Sequence, residues 1–189
     1  MTAVPSLESE VDLVLADLGL GPLLGALGEW QLVGSAALGL MVWPDIDLTV
    51  VCDRLDAAGL YTAAESLAGH ERVRRITFRN DSRHWNTEPD TYPDGIYWGI
   101  EYRSTHRTWN LDIWFVTEPE RQPDLRHLRE LKPKLDDEKR AAILDIKREW
   151  FERPEYGTTV TSFDIYTAVL DRGARTPADF EQFIAERQS

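Results

Sequence analysis

Asp45 and Asp47 stand two residues apart at the start of the run Asp45 to Cys52, whose alternation of polar and apolar residues reads as a β-strand. Side chains along a strand alternate between faces, so these carboxylates project from one face while Ile46, Leu48 and Val50 project from the other. At the ordinary strand rise their Cα atoms lie about 6.6 Å apart, which lets both side chains reach a shared cation. Thr108 to Val116 repeats the pattern, with Asn110, Asp112 and Trp114 on one face and Leu111, Ile113 and Phe115 on the other. A carboxylate in such an apolar strand needs a basic side chain or a metal to offset its desolvation. Magnesium suits this donor set, because it takes hard oxygen ligands at about 2.0–2.1 Å and keeps positions open for substrate phosphates. Gly34 and Ser35, at the exit of an earlier strand, complete the set: a glycine lets phosphate approach the backbone, and a serine adds a hydroxyl donor. Taken singly, Asp-x-Asp is most often a solvated strand end; it is the three features in this order that point to phosphate chemistry.

The elements that must position these residues follow from the hydrophobic pattern. Ser6 caps a first helix with Val11, Val14, Leu15 and Leu18 at helical spacing, and Leu23, Leu24 and Leu27 suggest a second, short one. Trp30 to Val33 reads as a short buried strand, Ala36 to Met41 as a small-residue helix, and Arg54 to Gly69 as a longer helix. Val73 to Arg79 alternates as a strand, the polar stretch Asn80 to Gly95 reads as a long loop and candidate lid, and Ile96 to Arg103 forms a hairpin with Thr108 to Val116. Beyond Pro123 the pattern is helical, broken at Pro133, at Arg153-Pro154 and at Gly173. The fold class is therefore α/β (α+β): a small mixed sheet flanked by helices, residues 1–123, followed by a C-terminal helical region, residues 124–189.

The stretch Leu32 to Leu48, LVGSAALGLMVWPDIDL, resembles the nucleotidyltransferase superfamily of the polymerase-beta type, in which a strand ends in Gly-Ser and the next carries Asp-x-Asp. NLDIWF around Asp112 is similar to the later strand that bears that family's third carboxylate. The resemblance covers about Gln31 to Val116 and extends to antibiotic nucleotidyltransferases of the lincosamide and aminoglycoside type. It implies that Gly34 and Ser35 hold a nucleoside triphosphate, that Asp45 and Asp47 bind Mg2+ (or Mn2+), and that Asp112, a third metal-binding acid, assists the metals or deprotonates an acceptor hydroxyl. The implied reaction moves a nucleoside monophosphate to a small-molecule or macromolecular hydroxyl and releases pyrophosphate. Two departures are visible: Pro44 stands where many members have serine, and no arginine follows Gly34-Ser35. The competing expectation is an inactive nucleotide- or protein-binding member of the same fold, such as a toxin–antitoxin partner.

Other residues are ambiguous on sequence alone. Lys132, Lys134, Lys139, Arg140 and Lys147 could face a leaving pyrophosphate but read equally as a solvated helix face, and Arg74, Arg75, Arg79 and Arg83 share that ambiguity. Trp85, Trp98, Tyr102 and Trp114 could stack on a base, although aromatics at alternate strand positions are usually core. One hairpin register sets Glu101 beside Asp112 as a fourth acid, and a one-residue slip sets Trp98 beside Trp114. His70, His84, His106 and His127 have no zinc-type spacing, and the single cysteine, Cys52, excludes a disulfide framework and suits a reducing compartment. Lys and Arg total 21 against 33 acids, a formal charge of −12, which disfavours extensive nucleic-acid binding. The acidic start and the absence of a long apolar run are expected of a cytoplasmic chain without a membrane segment.

Overall fold

The computed structural model describes residues 4–89 and 92–188; the first three residues, the Asp90–Thr91 part of the expected loop, and Ser189 lie outside the described residues. The chain divides into two compact units, Met1–Leu128 and Arg129–Ser189. In the first, α1 (Leu7–Asp17), α2 (Leu20–Gly25), β1 (Glu29–Val33), α3 (Gly34–Leu38), β2 (Asp45–Val51), α4 (Ala57–Ala68), β3 (Val73–Asp81), β4 (Gly95–Arg103) and β5 (Thr108–Val116) follow one another, and α5 (Pro123–Leu131) crosses the division. The mixed five-stranded sheet has the order β1-β2-β5-β4-β3. Strands β2 and β5 pair in parallel, and the other neighbours pair antiparallel.

One sheet face is the core. Ile46, Leu48 and Val50 of β2, Leu111, Ile113 and Phe115 of β5, and Ile96, Trp98 and Ile100 of β4 join Val11 and Val14 of α1, Leu20 and Leu24 of α2, and Leu60 and Leu67 of α4 in one buried cluster. The alternation that buries these residues turns Asp45, Asp47 and Asp112 to the opposite face. Ser6 caps α1 by accepting from the Ser9 amide, and Arg107 ties that helix to the β4–β5 hairpin through an ion pair to the buried Glu10, 3.0 Å away.

Several local expectations need correction. β1 is an edge strand with Glu29, Trp30 and Gln31 exposed rather than a buried one, because only β2 pairs with it. The short helix starts at Gly34 and stops at Leu38, where Gly39 adopts a left-handed φ of 67° and ends it. β3 continues to Asp81, opposite Gly95, so the polar stretch begins later than Asn80 and contains a 3-10 turn at Arg83–Trp85.

The second unit holds α6 (Asp137–Trp150), α7 (Ser162–Arg172) and α8 (Pro177–Gln188). Thr161 and Asp164 form a reciprocal capping box at the start of α7, and Trp150 of α6 meets Phe180 of α8 edge-on at 5.0 Å. Lys134 pairs with Asp171 and Lys139 with Asp136 at the surface, but Lys147 is buried, its ammonium 3.4 Å from the Tyr166 hydroxyl, so the solvated-face expectation does not extend to it. No helix among the described residues is long and apolar enough to cross a membrane.

Trp98 is fully buried, and its indole nitrogen has no hydrogen-bond partner among the described residues. Trp98→Ala is expected to cost about 3–5 kcal/mol in urea unfolding through the cavity it leaves. Trp98→Phe removes the same unsatisfied N–H, whose desolvation is worth about 1–3 kcal/mol, but keeps an aromatic ring in the core, so it is expected to cost far less. Equal losses in the two variants would show that the volume of the ring is not what Trp98 contributes to the core.

Candidate active site

The parallel pairing of β2 with β5 sets Asp47 opposite Asp112 and Asp45 opposite Asn110. Neighbouring strands lie about 4.8 Å apart, so Asp47 and Asp112 are cross-strand neighbours on one face, with Asp45 one pleat away. All three are half-buried. Pro44 immediately precedes β2, where a missing N–H costs nothing, and its carbonyl accepts from the Asn110 amide at 3.1 Å just ahead of the ladder. The C-terminal end of the same face is closed by the segment entering α5: buried Gln122 donates to buried Thr49 Oγ1 at 3.1 Å. The carboxylates thus lie at the open end of their face.

Gly34 is bound into this arrangement by sterics. Val33 pairs with Asp47, so the next residue turns directly over the Asp47 side chain. Its φ of +61° is one that L side chains rarely adopt, and a Cβ there would lie 2.7 Å from Asp47 Cγ. Glycine is required on both counts. Ser35 follows in the first turn of α3, half-buried.

Sequence reasoning did not single out Tyr97 or Trp43 beside the acids. The Tyr97 hydroxyl donates to Asp112 Oδ1 at 2.6 Å, and the Trp43 indole donates to Asp45 Oδ2 at 3.3 Å. Burial pushes the Tyr97 phenol well above its ordinary pKa, and the bond to Asp112 with that carboxylate's charge adds to the shift, so the hydroxyl remains a donor. The Arg79 guanidinium lies 5.0 Å from the Tyr97 ring centroid and 5.5 Å from that of Trp114, and it pairs with Asp81 at 2.6 Å.

Neither register considered for Glu101 occurs. Gly99 faces Asp112, Trp98 faces Ile113, and Glu101 faces Asn110, on the acidic face but diagonal to Asp112. Arg74 and Arg75 hold the Glu101 carboxylate at 2.8 and 3.3 Å. A recess of about 230 Å³ opens here, lined by Asp45, Asp112, Asn110, Tyr97, Glu101 and Arg75 among others. Trp98 and Tyr102 belong to the core, Trp114 is buried on the acidic face, and Trp85 is exposed.

Among the described residues no three His, Cys, Asp or Glu side chains are grouped as a metal site. What fits a hard divalent cation is the donor chemistry: carboxylates alone, from one face of two adjacent strands, with Asp47 and Asp112 in register. Asp124, at the start of α5, is a further acid close by. Burial raises its pKa above the usual 3.8, His127 and a hydrogen bond from Gln122 pull it back, and the charge of Asp112 adds to the rise.

Two outcomes follow from these contacts. Gly34→Ala is expected to cost about 1–2 kcal/mol for the left-handed backbone and more for the collision with Asp47. In thermal unfolding that second part should shrink in an Asp47→Ala background, which removes the carboxylate and leaves only the residue 47 Cβ, 3.0 Å away, and an equal cost in both backgrounds would show that the Asp47 carboxylate is not what excludes the Cβ. For Asp124, the native state binds its proton more tightly than the unfolded chain does, so its contribution to stability falls as pH rises from 3.8 through its raised native value. Urea midpoints measured from about pH 4 to pH 8 should therefore show Asp124→Asn gaining on the parent as pH rises, and parallel curves would contradict the assignment.

No protein-family model matches this sequence, and no curated protein does. Solved structures do. The chain superposes on the noncanonical poly(A) polymerase complex GLD-2–GLD-3 with a TM-score of 0.59 at 14% identity, covering 89% of this chain and 53% of that one. On a cytoplasmic RNA terminal U-transferase the TM-score is 0.56 at 19% identity, covering 90% of this chain and 49% of that one. The GLD-2–RNP-8 complex gives 0.55 at 14% identity, with 87% and 57% covered. The chain thus spans about half the length of these neighbours. The chain, a mixed sheet with flanking helices, shares its fold with the poly(A) polymerase and RNA terminal U-transferase structures.

Proposed function

We propose that the protein is a divalent-cation-dependent nucleotidyltransferase that transfers a nucleoside monophosphate from a nucleoside triphosphate to an acceptor hydroxyl. The observation that carries this is the register of β2 and β5, which puts Asp47 beside Asp112 with Gly34 against Asp47, on a fold shared with nucleotidyltransferases. Asp45, Asp47 and Asp112 would hold Mg2+ or Mn2+, which when bound supplies the positive charge that the phosphates and the attacking oxygen require. Gly34 and Ser35 receive the triphosphate, the glycine by leaving the backbone bare and the serine by donating its hydroxyl. Asp112 takes the acceptor's proton as its oxygen bonds to the α-phosphorus; the bond from that phosphorus to the bridging oxygen breaks, and pyrophosphate leaves with the electron pair.

The acceptor is bound locally, since a chain of formal charge −12 offers little surface for an extended polyanion. An RNA 3′-hydroxyl is the second reading, favoured by neighbours that are a poly(A) polymerase and an RNA terminal U-transferase. Incubation with Mg2+, each labelled nucleoside triphosphate, and aminoglycosides, lincosamides, short RNA, tRNA or cell protein separates these acceptors by where the label goes. Pyrophosphate release should require the cation, and Asp112→Asn should lower it by about 10²–10⁴-fold. Mg2+ at a hundredfold excess over Kd should stabilise the fold by about 2.7 kcal/mol, a gain absent in Asp47→Asn. Triphosphate binding without any cation-dependent turnover would instead establish the inactive binding member.

A further inference from the structure

Gly99 is the β4 residue opposite Asp112, and Tyr97 precedes it by two on the same face. A Cβ at Gly99 would lie 2.5 Å from the Tyr97 hydroxyl oxygen and 3.0 Å from two ring carbons. The phenol ring therefore lies along the strand, in the space that the glycine leaves, and this brings its hydroxyl across to Asp112 Oδ1 at 2.6 Å. Trp114 stands 5.2 Å from the ring at an angle of 47°, and Arg79 lies over it. Few rotamers remain open to a side chain held in this way.

We propose that Gly99 and Tyr97 together are a positioning device for Asp112. Gly99 provides the trough, Tyr97 lies in it, and the hydroxyl fixes the Asp112 carboxylate by one oxygen so that the other addresses the acceptor. This rests on the nucleotidyl-transfer reading, in which Asp112 takes the acceptor's proton. The strand order separates the device from the triphosphate: Gly34 and Ser35 follow β1, on the far side of β2 from β5 and β4. Losing the device leaves the Asp112 carboxylate in place and Asp45 and Asp47 untouched as cation ligands, so it should slow transfer far more than it weakens triphosphate binding.

Pyrophosphate release with Mn2+, a nucleoside triphosphate and water as acceptor provides the kinetic test. Tyr97→Phe keeps the ring and removes the hydroxyl; kcat is expected to fall about 10- to 100-fold with the triphosphate KM within about threefold of the parent. Gly99→Ala should act through the same hydroxyl, so the double variant should be no slower than the slower single one. Unchanged kcat in Tyr97→Phe, or tighter Mn2+ binding with undiminished kcat, would overturn the proposal. A direct readout independent of turnover is the hydrogen-bonded Tyr97 hydroxyl proton in NMR, identified by its loss in Tyr97→Phe. It should shift or vanish in Gly99→Ala and in Asp112→Asn, and an unmoved resonance in Gly99→Ala removes the trough from the proposal. If Asp112→Asn retains full activity, or the parent releases no pyrophosphate, the functional reading fails, while the hydroxyl resonance still decides the device.

Discussion

Everything at the acidic face depends on one register, that of β2 against β5. The two strands are parallel and both carry apolar residues at alternate positions, so the core face buries Ile46, Leu48 and Val50 beside Leu111, Ile113 and Phe115. A shift of either strand by one residue would carry its whole apolar set to the open face and its aspartates into the core. Roughly 1.5–3 kcal/mol for each large apolar side chain opposes that slip, far more than the repulsion between carboxylates can oppose the native pairing. The hydrophobic core thus holds Asp47 against Asp112, and the acids need contribute nothing to their own placement.

The same register accounts for the small residues. Gly34 and Gly99 flank the aspartates on opposite sides, the first over Asp47 and the second opposite Asp112. In each case a missing Cβ makes room for a side chain of the acidic face: the Asp47 carboxylate in one, the Tyr97 ring in the other. The sterics also explain why Gly34 begins α3. A left-handed residue between β1 and the helix turns the chain sharply, which keeps Ser35 near the strand exit.

Much of this was legible in the sequence, because period-two alternation reports which face a residue occupies. Asp45, Asp47 and Asp112 could be placed on polar faces, and the hairpin joining β4 to β5 and the helical C-terminal pattern could be read in the same way. Pairing partners could not. The register of β4 on β5 is set by the long-range fit of Ile96, Trp98 and Ile100 into the core, so neither setting foreseen for Glu101 occurs. Tyr97 was missed for a related reason: an aromatic in an aromatic-rich strand reads as core, and only Gly99 two residues on hints that the ring lies down along the strand. Gln122 and Asp124 gave no signal, since their importance comes from the packing of an irregular segment over Thr49.

Glu101 and Asp112 share a face and lie one diagonal apart, yet their surroundings suit them to different tasks. Two guanidiniums answer the charge of Glu101, and because Arg74 and Arg75 are largely exposed, those pairs set its direction more than they add to stability. Asp112 accepts instead from a neutral hydroxyl. Such a bond orients a carboxylate without cancelling its charge, whereas an ion pair does both. In the proposed transfer reaction, Asp112 must keep its charge while losing its freedom to rotate, and the hydrogen bond from Tyr97 would provide that combination. The recess thus has Glu101 of β4 ion-paired with two arginines of the edge strand β3 on one side and Asp112 of β5, held by a neutral donor, on the other.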